Sequence, residues 1–246
     1  MGLVRCVTPD WPAPPWVQAV TTERSARDPT DPYDGFNLAQ HVDDEPGRVI
    51  QHRADLEREL SIPSSPLWLD QIHGTEVVRL DQGAPAHAAD GGFTAQSGKT
   101  VAVLTADCAP IFLTNRSGEF VGLLHGGWRG VAGGIVERGL RCIPAQPADV
   151  LAWVGPTIGP EHFEIGPEVR GQLIQDSADE EYFVPRADRY LANLPGLILA
   201  RLTRAGVGYA AASNLCTYSD AKRWFSYRRQ GACGRMASLI WLARKN

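Results

Sequence analysis

The chain has 246 residues, 43% hydrophobic and 21% charged, with 24 Lys and Arg against 28 Asp and Glu. This is an ordinary globular profile, and it argues against intrinsic disorder, which needs low hydrophobicity and high net charge. The formal charge of −4 argues against a protein that holds nucleic acid by general electrostatics. A chain this long can bury most of its apolar surface in one core, and we read residues 1–246 as a single domain. No stretch reaches the roughly 18 apolar residues of a membrane span, so no membrane partner is expected. Met1–Cys6 carries no apolar signal core, and Cys6 stands where a myristoylation signal wants Ser or Thr. Five cysteines, without a CxxC spacing, do not make a disulfide framework. The expected compartment is the reducing cytoplasm.

Residues 1–16 read as an extended arm or first strand. Residues 45–60 place Val49, Ile50, Leu56 and Leu60 among charges, which predicts an amphipathic helix that ends before Pro63 and Pro66. Short runs rich in aromatic and β-branched residues follow at Leu67–Ile72, Thr100–Thr105, Ile111–Thr114 and Phe120–Leu124 and predict strands. Val131, Ile135, Leu140 and Ile143 share one helical face, and Val150–Val154 is a further strand. Residues 167–176 and 188–205 read as helices. Val207–Ala212, Trp224–Arg228 and Met236–Leu242 read as late strands. Strands and helices mix without a regular βαβ alternation. The expected fold class is therefore α/β (α+β), a layered sandwich of mixed β-sheets flanked by helices.

Three soft or borderline metal ligands share one context. His73, Cys108 and His125 each follow an apolar strand run and precede a turn of small residues. Two imidazoles and a thiolate leave a fourth position open on tetrahedral zinc, the mark of a catalytic site. The spacings match no closed zinc-finger pattern, and two polar strand-end histidines with a buried free cysteine is the bland alternative. Gly126-Gly127-Trp128-Arg129-Gly130 opens a helix beside His125. Bare amides at a helix start and a guanidinium suit an anion, against the alternative of a tight turn with a solvated Arg129. In Trp224–Arg229, strand alternation would put Phe225 and Tyr227 on one face, either as core or as a flat wall for a base or sugar. Cys142 reads as core, and Cys6 as irrelevant to any site. Cys216 is a weak cavity candidate. His41, His52, His87 and His162 lie in polar or loop-like stretches.

Taken in order, Asp70-Gln71-Ile72-His73-Gly74, Thr105-Ala106-Asp107-Cys108-Ala109-Pro110, His125–Gly130, Gly155–Pro160, Phe225–Arg229 and Gly234–Ser238 form a specific set, with Asn37-Leu38 upstream. The chain resembles the laccase-domain family, variously labelled multicopper polyphenol oxidase, purine nucleoside phosphorylase and peptidoglycan editing factor. The resemblance spans about residues 17–242. It implies a single α/β-sandwich domain and a zinc ion held by His73, Cys108 and His125. It also makes Asn37, Arg53 and Arg228 candidate substrate contacts. The chain departs from the family pattern at Gly126, Gln230, His52 and Ala89.

The expectation is a zinc-dependent purine nucleoside phosphorylase that is also an adenosine deaminase. Arg129, with Gly126 and Gly127, would hold phosphate beside the metal, and Asp107 would serve as general acid. An alternative is an amidohydrolase acting on a cell-wall nucleotide precursor, either by metal-activated water or with Cys108 as nucleophile and His125 as base. A copper-loaded polyphenol oxidase is another, since Cu²⁺ can replace Zn²⁺ in such a site. Six histidines are too few for a Cys/His₂ copper plus a trinuclear cluster. A non-enzymatic metal-binding partner protein is the last. The partners expected are a small nucleoside and phosphate. The sequence is silent on oligomeric state.

Overall fold

Successive side chains of a strand point to opposite faces, so a strand buried on both faces must feed two cores. The central strands of this protein do so. In the computed structural model, which describes residues 4–82 and 88–243, two mixed sheets stack face to face. One runs β1 (Cys6–Val7), β2 (Val17–Thr22), β14 (Met236–Leu242), β6 (Thr100–Thr105), β3 (Leu67–Trp68), with only the last pair parallel. The other runs β13 (Tyr209–Ala212), β9 (Val150–Val154), β7 (Ala109–Asn115), β8 (Val121–Gly126), β5 (Gly91–Thr94), β4 (Val77–Arg79), with the outermost pair at each edge parallel. A small antiparallel sheet, β10 (Glu164–Ile165), β12 (Arg189–Ala192) and β11 (Phe183–Arg186), lies outside them.

Val101 and Val103 of β6 and Ile240 and Leu242 of β14 meet Phe112, Leu123 and Trp153 between the two sheets. Their neighbours Ala102, Leu104 and Leu239 face outward onto Leu38 and onto Leu56 of α1 (Pro46–Glu59). Ile111, Leu113, Leu124 and Ala152 face the opposite way. They pack on α3 (Ile135–Cys142) and α5 (Leu194–Arg204), beside α2 (Trp128–Gly133) and α4 (Pro167–Leu173). The layered sandwich of mixed sheets between helices is thus the observed class. No described helix is long and apolar enough to cross a membrane.

Several predicted elements are altered by local chemistry. The helical run over 131–143 is two helices, broken where Gly134 takes φ +90° and ends α2. Residues 188–205 begin as strand β12. Helix starts only at α5, where the Asn193 side chain accepts from Gly196 N–H. The 167–176 helix stops at Leu173, because Ile174 is extended. Only Leu67–Trp68 of the 67–72 run pairs as strand. Trp224–Arg228 is not a strand. Ser226 caps a short helix, α6 (Tyr227–Gln230), and the Asp107 carboxylate takes the Arg228 N–H that a strand ladder would need. Phe225 is buried while Tyr227 is exposed, so they do not share a face. His87 and the residues before Val4 lie outside the described residues.

Phe112 is fully buried where both sheets meet, its ring 5.4 Å from that of Trp153. Phe112→Ala should cost about 3–5 kcal/mol, checked by urea unfolding with an unchanged m-value.

Candidate metal centre and cavity

The three donors reach one point by different routes. Cys108 sits in the turn by which the chain leaves β6 in one sheet and enters β7 in the other. His125 lies on β8, with Pro110 of β7 as its register partner, and Cys108 stands in the bend just before β7, which brings it beside His125. His73 follows β3 and has φ +59°, an unusual conformation for a residue with a Cβ. One ligand atom from each of the three lies within 4.8 Å of the others, and His73 Nε2 is 3.9 Å from Cys108 Sγ. The two imidazoles meet edge to face at 4.7 Å. Donors bound to one tetrahedral zinc stand about 3.3–3.6 Å apart, so a small inward shift suffices. His125 Nδ1 lies 2.7 Å from Asp90 Oδ1, which leaves Nε2 as its ligand atom. The donor set fits a borderline-soft divalent ion.

The electrostatics support the same grouping. Burial pushes the Cys108 thiol up, but the charge and hydrogen bond of His125, with help from His73, outweigh it and bring it down to about 6. Burial alone would lower His125, but Cys108 and Asp90 raise it to about 9. Both shifts favour the charged pair, a thiolate beside an imidazolium, in the metal-free protein. Gly127 allows this packing, because a Cβ there would lie 2.9 Å from His73 Cδ2 and 3.2 Å from Cys108 Sγ. Gly126 is equally tight, with its would-be Cβ 2.8 Å from the Ala109 carbonyl.

The donors form one wall of a cavity of about 510 Å³. Arg129, Arg228, Arg235 and His41 line it, together with Trp128, Phe163 and Tyr227. Arg129 lies over the Trp128 ring at 4.4 Å. Arg228 donates to the Glu164 and His162 carbonyls at 2.8 and 3.3 Å and lies over Phe163. An acidic chain thus presents several cations to one cavity.

Asp107 lines the cavity, but its carboxylate is occupied. Oδ1 accepts from Thr217 Oγ1 at 2.6 Å, and Oδ2 from Ser226 Oγ and Arg228 N at 3.0 and 2.7 Å. Its geometry is that of an anchor rather than a proton donor. Asn37 and Arg53 do not line the cavity. Asn37 is fully buried and bonds Asp44, Ala39 N and Arg235 N. Arg53 lies over Trp68 and donates to the Leu38 carbonyl. Cys216 faces a different cavity and accepts from Gly159 N. His52 is turned toward the Asn37 carbonyl. Sequence reasoning passed over Gln71, Phe163 and Arg235, and it read His41 as a polar segment residue. Gln71 and Arg235 lie within the Asp70–Gly74 and Gly234–Ser238 motifs, whereas only the fold brings Phe163 and His41 to the cavity.

A two-sheet α/β sandwich with a His–Cys–His donor set at the head of a cationic cavity defines a class of protein built for chemistry on a small molecule. Residues 18–243 match the family model described as multi-copper polyphenol oxidoreductase laccase, and the chain belongs to that family. It is 39% identical over 241 residues to purine nucleoside phosphorylase YfiH of Escherichia coli, covering 97% of this chain and 99% of the relative. It is 41% identical over 239 residues to purine nucleoside phosphorylase PA4543 of Pseudomonas aeruginosa, covering 96% and 98%. The crystal structure of Neisseria meningitidis protein NMB0706 superposes with a TM-score of 0.91 at 34% identity, over 97% of this chain and 99% of that one. The Escherichia coli and Pseudomonas aeruginosa relatives are named as phosphorylases, and the chain is an enzyme of the same family.

In metal-free protein, alkylation of Cys108 by iodoacetamide should rise with pH through a midpoint near 6, well below the roughly 8.5 of a free cysteine. Stoichiometric zinc should suppress the reaction. Mass spectrometry of the modified peptide, taken at each pH, checks both outcomes.

Proposed function

We propose that this enzyme is a purine nucleoside phosphorylase with a zinc-type centre at His73, Cys108 and His125. The observation that carries this reading is the placement of the donor set on the wall of a cavity that also holds Arg129, Arg228 and Arg235. A divalent ion held there supplies Lewis acidity and an exchangeable fourth position. In our reading the guanidinium of Arg129 holds phosphate by paired hydrogen bonds, near C1′ of the nucleoside. Gly126 and Gly127 do not line the cavity; their missing side chains let the β7 backbone and the His73–Cys108 pair pack closely, so they support the donors rather than hold phosphate. Trp128, Phe163 and Tyr227 offer faces for the purine, and Arg228 orients the ribose side of the substrate. As phosphate oxygen bonds to C1′, the C1′–N9 bond breaks and the base leaves with its electron pair. Cations beside the reacting phosphate hold its charge in place through this step. Asp107 positions Cys108 and α6 rather than transferring a proton, because its carboxylate already accepts three hydrogen bonds. The same cavity would admit adenosine for deamination, a hydrolytic reaction that metal-site chemistry serves well.

A second reading rests on the Cys108–His125 pair. A lowered thiol beside a raised imidazole is the arrangement of an activated cysteine nucleophile, which would suit hydrolysis of an amide substrate such as a cell-wall nucleotide precursor. A thiolate committed to a metal is not free to acylate, so metal content separates the two. The polyphenol oxidase reading has weak support. Among the described residues one cluster offers three metal-ligating side chains, and the whole chain has six histidines. Copper taken into that one site would still permit a low oxidase rate. A non-catalytic metal protein is disfavoured by the family's enzymes and by the cavity.

Zinc-replete protein should convert inosine only when phosphate is present, read as ribose 1-phosphate and free base. Release of base without phosphate, or turnover only of an amide substrate, would reject the phosphorylase reading. Arg129→Ala should raise KM for phosphate at least tenfold and KM for inosine much less, and equal changes would remove Arg129 from the phosphate site. Cys108→Ala and His125→Ala should each lose bound zinc and activity while keeping the far-ultraviolet circular dichroism of the wild type.

A further inference from the structure

Both histidine-bearing segments lean on one carboxylate. Asp90 is fully buried. Its Oδ1 lies 2.7 Å from His125 Nδ1 and 2.9 Å from His73 N. Its Oδ2 lies 2.6 Å from Gly74 N and 3.3 Å from Ile72 N. The backbone of Asp90 is itself fixed, with its N–H donating to the Glu76 carbonyl at 2.9 Å and its carbonyl accepting from His125 N–H at 2.6 Å. A carboxylate has about four acceptor positions, and here four donors fill them, two on each oxygen.

Two consequences follow for the donors. Once the ring is neutral, as a ligand must be, an acceptor against Nδ1 keeps the proton of His125 on that nitrogen and leaves Nε2 bare for a metal. The amides of residues 72–74 converge on the same carboxylate, which bends the chain and holds His73 at φ +59°. We propose that Asp90 is a positioning residue of the metal centre, one side chain that sets the tautomer of His125 and the backbone of His73 together. The inference rests on the metal reading above.

The isosteric amide shows why a carboxylate is required. Asn at position 90 has one acceptor oxygen. With its NH₂ toward Gly74 and Ile72, the turn that presents His73 loses its anchor. With its NH₂ toward His125, it donates to Nδ1 and drives the ring proton onto Nε2, where it blocks ligation. Either orientation disables one of the three donors, although the volume of the side chain is unchanged.

Zinc dissociation constants of wild type and Asp90→Asn, from competition with a chromophoric chelator, test the first arm. The expected result is one ion per wild-type chain and a 10–100-fold weaker site in the variant. The second arm needs no variant, so poor folding of Asp90→Asn does not decide the matter. In ¹⁵N-labelled wild type loaded with ¹¹³Cd, nuclear magnetic resonance should show the metal coupled to Nε2 of His125 and the proton retained on Nδ1. That Nδ1 proton should resonate far downfield, the mark of a hydrogen bond to a carboxylate, which an Asp90 acting only through the fold would not give. Coupling to Nδ1, or an unchanged zinc constant in a folded variant, overturns the assignment of Asp90 and leaves the metal reading standing. A wild type that takes up neither ion overturns both.

Discussion

The chain passes from one sheet to the other at residues 106–108, and much of the site depends on how that crossing is tied. Asp107 takes φ +88° there, a conformation that Asp tolerates better than most residues. Its carbonyl accepts from Ile158 N and Thr157 Oγ1, and its carboxylate from Thr217, Ser226 and Arg228. One residue therefore joins four segments that are far apart in sequence. Such a hub, buried and satisfied, gives a single arrangement, because any broken partner would leave a polar group without water. Cys108 inherits its place from this hub, and so does the cavity wall that carries Arg228.

The cavity also shows how a weakly acidic protein can present a cationic lining to a small molecule. Net charge governs encounter at long range, whereas a cavity responds to the groups that line it. Arg129, Arg228 and Arg235 are held by ring faces or backbone carbonyls. Those partners orient the guanidinium groups without neutralising them. The thiolate and imidazolium at the other wall add a dipole that a bound cation would replace with a stronger charge. The cationic lining and the donor set are thus complementary parts of one electrostatic design.

Departures from the family pattern find structural places. Gln230 accepts from Arg24 and donates to the Pro29 carbonyl, so it stabilises a loop outside the cavity. Gly126 fills a position where the backbone of β7 comes too near for a side chain. Ala89 is fully buried and pairs through its N–H with the Asp70 carbonyl, next to the carboxylate of Asp90. Asn37 and Arg53, which the family resemblance offers as substrate contacts, stand away from the cavity lining. A motif residue can support the fold beneath a site, as Asn37 does by holding Arg235 N, without touching what binds there.

The linear sequence was sufficient for the strand-rich core, for helix α1 and for the layered class, and it singled out His73, Cys108 and His125, the three side chains that the fold gathers. Hydrophobic period and ligand chemistry are local properties that survive in one dimension. It misjudged Trp224–Arg228, because the Asp107 carboxylate that captures Arg228 N–H arrives from 121 residues away. It missed Phe163, His41 and the full role of Asp90 for the same reason. A carboxylate becomes a double anchor only when two segments converge on it, and convergence is a property of the packed sheets. The identity of the donors was thus written in the residues, while their common geometry, and the cations that face them, came from the tertiary structure alone.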